Sequence, residues 1–188
     1  MRPVFLKIVA GIFLVLLAVA AFPMVLSHFR QNSRMTSQGS SVDFSGFRDD
    51  SVSRISYSQN GHQEVVLDRA SDIWKIGADE ADKEKVSGFF LALSEMRILD
   101  MASKNESNFG KLGVDQGSAI KLSLRRTDGN EKVFFIGKAS DVPGVFFLRK
   151  DGVKNTYSAR GALRELLSKD ASYWKRAEAT GVSGASKK

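Results

Sequence analysis

The stretch Ile120–Lys150, IKLSLRRTDGNEKVFFIGKASDVPGVFFLRK, decides the fold. Ile120, Leu122 and Leu124 alternate with Lys121, Ser123 and Arg125, the period-two pattern of a strand with one buried face. Asp128-Gly129-Asn130 then turns the chain. Val133–Ile136 (VFFI) is apolar at every position and predicts a central strand covered on both faces. Asp141-Val142-Pro143-Gly144 supplies the next turn, and Val145–Leu148 (VFFL) is again two-sided. Strands joined by turns this short pair antiparallel. Helices can cover one face of such a sheet, and a loop or a partner must cover the other.

Downstream, Asp151-Gly152 signals a hairpin and Asn155–Ala159 a last strand. A short helix begins near Gly161, with Leu163, Leu166 and Leu167 as its inner stripe and Tyr173 and Trp174 closing the fold. Residues 177–188, AEATGVSGASKK, read as a disordered tail. Upstream, residues 99–118 read as irregular, with Phe109 and Leu112 as apolar plugs. Before them the spacing of Val86, Phe89, Phe90, Leu93 and Met96 predicts a helix from about Asp79 to Ile98. Asp79, Glu80, Asp82 and Glu84 crowd its first turns, where the helix dipole favours acids. Three strand candidates precede it, Val52–Ser58, Val65–Leu67 and Ile73–Ile76, the first two joined through Asn60-Gly61. The order predicts an α+β domain over residues 51–176, mainly antiparallel and built from two β-meander-plus-helix units.

Residues 27–50 are rich in Ser, Gln, Asn and Gly and read as a flexible tether, with Phe44 and Phe47 marking where it meets the domain. Ahead of it, Ile8–Leu26 carries no charge over 19 residues, enough helix to cross a bilayer core of roughly 30 Å. Arg2 and Lys7 precede the run, which favours a cytoplasmic N-terminus. A signal peptide would use Ile8–Leu17 as its apolar core and Ala18-Val19-Ala20 for cleavage. A transmembrane anchor, residues 1–26, would use the whole run. Either way the domain is expected to be exported, and an uncleaved run would hold it at a membrane with the C-terminal domain extracytoplasmic.

Net charge is +7 and unevenly placed. Residues 27–118 carry eleven Lys/Arg against fourteen Asp/Glu, and residues 119–188 carry fifteen against seven. Within the basic half, Lys121, Arg125, Arg126, Arg149 and Lys150 are the candidate contact surface for an acidic partner or anionic lipid. With no cysteine the chain has no disulfide, no thiolate nucleophile and no Cys-ligated metal. Two histidines, His28 and His62, are too few for a multi-His metal centre. The acids of the helix are accounted for by its dipole, and Asp49-Asp50 is a single sequence pair with no cleft implied. Glycines 110, 113 and 117 do not match a dinucleotide fingerprint. Phe134, Phe135, Phe146 and Phe147 lie among Lys132, Lys138, Arg149 and Lys150, but on central strands they read as core rather than as a nucleic-acid stacking platform. No motif selects a Ser–Lys nucleophile. The expectation is of no enzyme and no cofactor.

The IWKI strand, the helix ending LALSEMRIL, the NFGKLGV loop, KVFFIGK, a Pro-Gly turn and VFFLRKDG occur in one order between Val52 and Arg176. In this the chain resembles the domain-of-unknown-function family 4340. The resemblance implies a bacterial envelope protein, single-pass in the inner membrane through an N-terminal helix, with an exported α+β domain. Some members accompany ABC-transporter subunits linked to gliding motility, and the family has no established catalytic residues. The expected function is a non-catalytic, membrane-tethered accessory or adaptor whose partner is a membrane or envelope protein, and not nucleic acid. The alternative is an exported binding module for a lipid, glycan or other small ligand.

Overall fold

A computed structural model describes residues 42–177. The apolar run Ile8–Leu26, most of the tether and the tail from residue 178 lie outside those residues. Among the described residues no helix is long and apolar enough to cross a membrane.

Among the described residues nine strands form one sheet: β1 (Val52–Ser58), β2 (Val65–Ala70), β3 (Ile73–Ile76), β4 (Asp79–Glu80), β5 (Arg97–Ser103), β6 (Ile120–Arg126), β7 (Glu131–Ala139), β8 (Val145–Lys150) and β9 (Thr156–Arg160). Their order is β4-β3-β2-β1-β6-β7-β8-β9-β5, and every pairing is antiparallel. The domain is thus an antiparallel, sheet-rich α+β fold. The two expected meanders are present but share one sheet, because β1 pairs with β6.

Helix α1 (Lys83–Glu95) connects the two edges of that sheet. Flat, nine strands at about 4.8 Å spacing would hold β4 and β5 roughly 38 Å apart. Thirteen helical residues span only about 20 Å, and just Ala81, Asp82 and Met96 flank them. The sheet therefore curls around α1. Register shifts in β1, β5 and β7 supply local bends. Val86, Phe89, Phe90 and Leu93 of α1 fill the hollow against Ile55, Leu67, Leu122, Phe134, Phe146 and Tyr157. Trp174, on the single-turn helix α4 (Ala171–Trp174), plugs one end. Its ring packs edge-on to Phe89 and Tyr57, at 6.2 and 6.3 Å between centroids. The Tyr57 hydroxyl accepts from Trp174 Nε1 at 2.5 Å and donates to the Lys169 carbonyl at 2.6 Å. Burial pushes the Tyr57 hydroxyl up to about 12.

Three expectations need correction. The helix is shorter than Asp79–Ile98 at both ends. Asp79 and Glu80 pair with β3 as strand β4, and Asp82 is the N-cap, accepting from the Glu84 and Lys85 amides at 3.0 and 3.3 Å. Beyond Met96 the chain is β5, so the segment read as irregular begins with a strand. The domain also starts earlier than residue 51. Val42 and Phe47 are buried in the core, and the Phe44 ring lies 4.3 Å from that of Phe134.

Candidate functional site

The outer face of β7 and β8 carries Val133, Phe135 and Phe147, and its cover is a loop of this chain. Helix α2 (Phe109–Leu112) with Val114 and Ala119 lies across it. Gly113 takes φ +66°, the left-handed cap that lets the chain leave α2 after one turn. Gly137 lets the loop sit down, because a Cβ there would collide with the Leu112 carbonyl oxygen and meet Val114 Cγ1 at 2.7 Å. The FGKLG loop and the IG of β7 are thus two halves of one contact. Arg164, on helix α3 (Leu163–Leu166), donates to the Gly137 carbonyl at 2.8 Å from elsewhere in the fold.

Arg149 belongs to this contact and not to a surface. It is 7% exposed, with its guanidinium 4.3 Å from the rings of both Phe109 and Phe135. Nε and Nη2 donate to the Val114 carbonyl at 3.3 and 3.2 Å. Burial lowers its pKa, an effect partly offset by Asp151, Glu106 and Asp115.

The other four expected contact residues are dispersed. Arg125 is held by Glu131 at 2.8 Å, and Glu131 also accepts from the Ser123 hydroxyl. Those hydrogen bonds hold the Glu131 carboxyl below its ordinary range. On the same face Arg54 pairs with Asp68, so Asp68, Arg54, Arg125 and Glu131 make one self-neutralising row over four strands. Arg126 lies 3.7 Å from Asp128. Lys121 is exposed beside Phe135, whereas half-buried Lys150 stands opposite Phe134 on the other face. The five residues do not make one open basic patch.

Two concave sites were not anticipated. A cleft of about 330 Å³ lies between the β1–β2 loop and the segment that leads into α4. Ser58, Gln59, His62 and Gln63 form one wall, residues 168–172 the other, and Tyr57, Val65 and Leu167 the floor. Its size and its many hydrogen-bonding groups suit a small polar ligand. Asp170 is already engaged there, accepting from Ser172 Oγ at 2.7 Å and the Tyr173 amide at 3.2 Å, which lowers its pKa. No signal in the sequence joins residues 58–63 to residues 168–172. A second groove, about 260 Å³, runs between α1 and α3 beside the exposed Leu91. Among the described residues no group of three or more His, Asp or Glu could hold a metal ion.

The two edges of the sheet differ. The C-terminal segment covers β4 through an Ala81–Lys175 bridge, an Arg176 amide bonded to the Glu80 carbonyl at 3.0 Å, and ion pairs Lys175–Asp79 and Arg176–Glu80 at 2.6 and 3.1 Å. On β5, no strand among the described residues pairs with the outer edge.

Comparison with curated proteins and with solved structures finds no match to this chain. A family model does match, over residues 74–184, which is more than half of the 188. The matched span runs from Trp74 of β3 through α1, the loop over Phe135 and the last strands, and contains the glycine contact between Leu112 and Gly137. The chain belongs to the family described as Domain of unknown function (DUF4340).

Proposed function

We propose that this protein is a non-catalytic, single-pass accessory of the bacterial inner membrane, whose exported domain binds another envelope or transporter component. The observation that carries the reading is the distance in sequence between the apolar run and the core. Ile8–Leu26 is long enough to span a bilayer, and the chain is already buried in the domain at Val42. Fifteen residues, 27–41, separate them and reach about 50 Å at most when extended. A domain held on so short a lead is suited to meeting partners at the membrane surface, where tethering raises effective concentration. The test is topology. The protein is expected to resist alkaline carbonate extraction, and its C-terminal domain to be cut by protease only once the outer barrier is opened. Release by carbonate overturns the anchor.

The cleft at His62 favours a second reading, an exported module for a small polar ligand such as a glycan. That reading requires a small molecule to co-purify and to appear in native mass spectrometry.

A further inference from the structure

Arg97 of β5 and Arg160 of β9 stand directly opposite each other in the ladder. Both are exposed, and among the described residues neither makes an ion pair. Side chains so placed lie about 5 Å apart at Cβ, and like charges there oppose pairing. The rest of the sheet avoids this arrangement. Where Arg54 and Arg125 are neighbours, Asp68 and Glu131 flank and neutralise them. Glu95 and Asp100, the acids nearest Arg97 in sequence, make no ion pair with either arginine. The uncompensated pair also lies at the start of the edge strand whose outer side pairs with no strand among the described residues, next to half-buried Ile98, Leu99 and Met101.

We infer that β5 is the docking edge for an extended, acidic segment of a protein partner. The segment adds as a tenth strand, and its carboxylates neutralise Arg97 and Arg160. Backbone pairing supplies affinity, and the two arginines set the charge preference and orientation. The inference rests on the binding role proposed above and names the surface and the chemistry that serve it. The capped β4 edge explains why one side alone is used.

The test uses the full chain in a zwitterionic detergent and two blocked eight-residue peptides, one alternating Val with Glu and one alternating Val with Lys. Amide exchange is expected to slow in residues 97–103 with the acidic peptide alone. Arg97→Glu/Arg160→Glu is expected to weaken that binding about tenfold or more, with Arg97→Gln/Arg160→Gln intermediate; both sites are exposed, so the fold is retained. Equal binding of the two peptides, protection elsewhere, or no protection overturns the inference. So does a dimer joined through β5, or selective binding of the arginine pair to phosphatidylglycerol vesicles. Partners that co-purify equally with the wild-type and charge-reversed chains overturn the edge assignment but leave the adaptor reading standing.

Discussion

At Gly137 a single methyl group would have nowhere to go. The atom it would strike, the Leu112 carbonyl, is backbone and cannot rotate aside. Gly137→Ala is expected to cost about 2 kcal/mol or more in urea unfolding, by lifting the loop off Phe135. Gly88→Ala, in the interior of α1 with nothing within 4 Å of the new Cβ, is expected to stabilise by about 0.5–1 kcal/mol in the same assay. Arg149 makes a similar point about charge. Removing it as Arg149→Ala forfeits two ring contacts and the bond to Val114, and about 2–3 kcal/mol is expected to be lost. Arg149→Lys is not expected to restore it, because an ammonium lacks the planar fork that meets both rings and donates twice to the Val114 carbonyl. In sequence, Arg149 reads as a solvated cation. The available signal was parity: it shares a face with Phe147, under whatever covers that face. Tyr57 gives a pH dependence. Its hydroxyl titrates near 10 when unfolded and near 12 when folded, so the folded state holds the proton longer. Its contribution to stability is complete below about pH 10 and fades as pH rises towards 12, by up to about 2 kcal/mol. Tyr57→Phe is expected to flatten that alkaline limb while lowering stability at neutral pH, where Trp174 Nε1 loses its acceptor.

At the scale of elements, the β2–β3 hairpin shows what a glycine-based reading passes over. Ala70 pairs with Ile73, leaving a two-residue turn of Ser71 and Asp72 with φ of +48° and +67°. Two left-handed residues fit the twist of a tight hairpin, although neither is the preferred type. Ser71→Asn with Asp72→Gly is expected to raise the unfolding midpoint, by about 1 kcal/mol in stability. The Arg69–Asp72 ion pair lost in the exchange contributes little, because its Asp72 side is solvated. Strands β6 to β9 were legible because their apolar residues alternate or double up cleanly. Strand β5 was not. RILDMAS has no alternation, two register shifts break its pairing, and the helical spacing of Leu93 and Met96 runs into Ile98. Of the three acids before α1, just Asp82 caps the helix; Asp79 and Glu80 pair with Lys175 and Arg176, residues almost a hundred positions away. Local pattern carries no record of such distant partners.

For the whole molecule, the two-sided apolar strands β7 and β8 predicted a need for two covers, and that much follows from Phe134, Phe135, Phe146 and Phe147 alone. Which cover came from the chain itself required the structure: α1 fills the inner face and the Phe109–Ala119 loop the outer one. The clefts and edges depend on segments far apart in sequence, so the expected basic surface dispersed while the cleft at His62 and the β5 edge, unpaired among the described residues, emerged. Among the described residues, both faces of β7 and β8 are covered by the chain itself. The central claim is that a membrane anchor and an exported binding domain act together. The measurement that tests it most directly is affinity capture of the intact protein from mild detergent, beside a chain lacking residues 1–26. A stable set of membrane partners held by the intact protein, and lost or weakened without the anchor, is the predicted result. Recovery of the intact protein alone, with a bound small molecule in native mass spectrometry, would contradict the account and give the cleft at His62 the leading role.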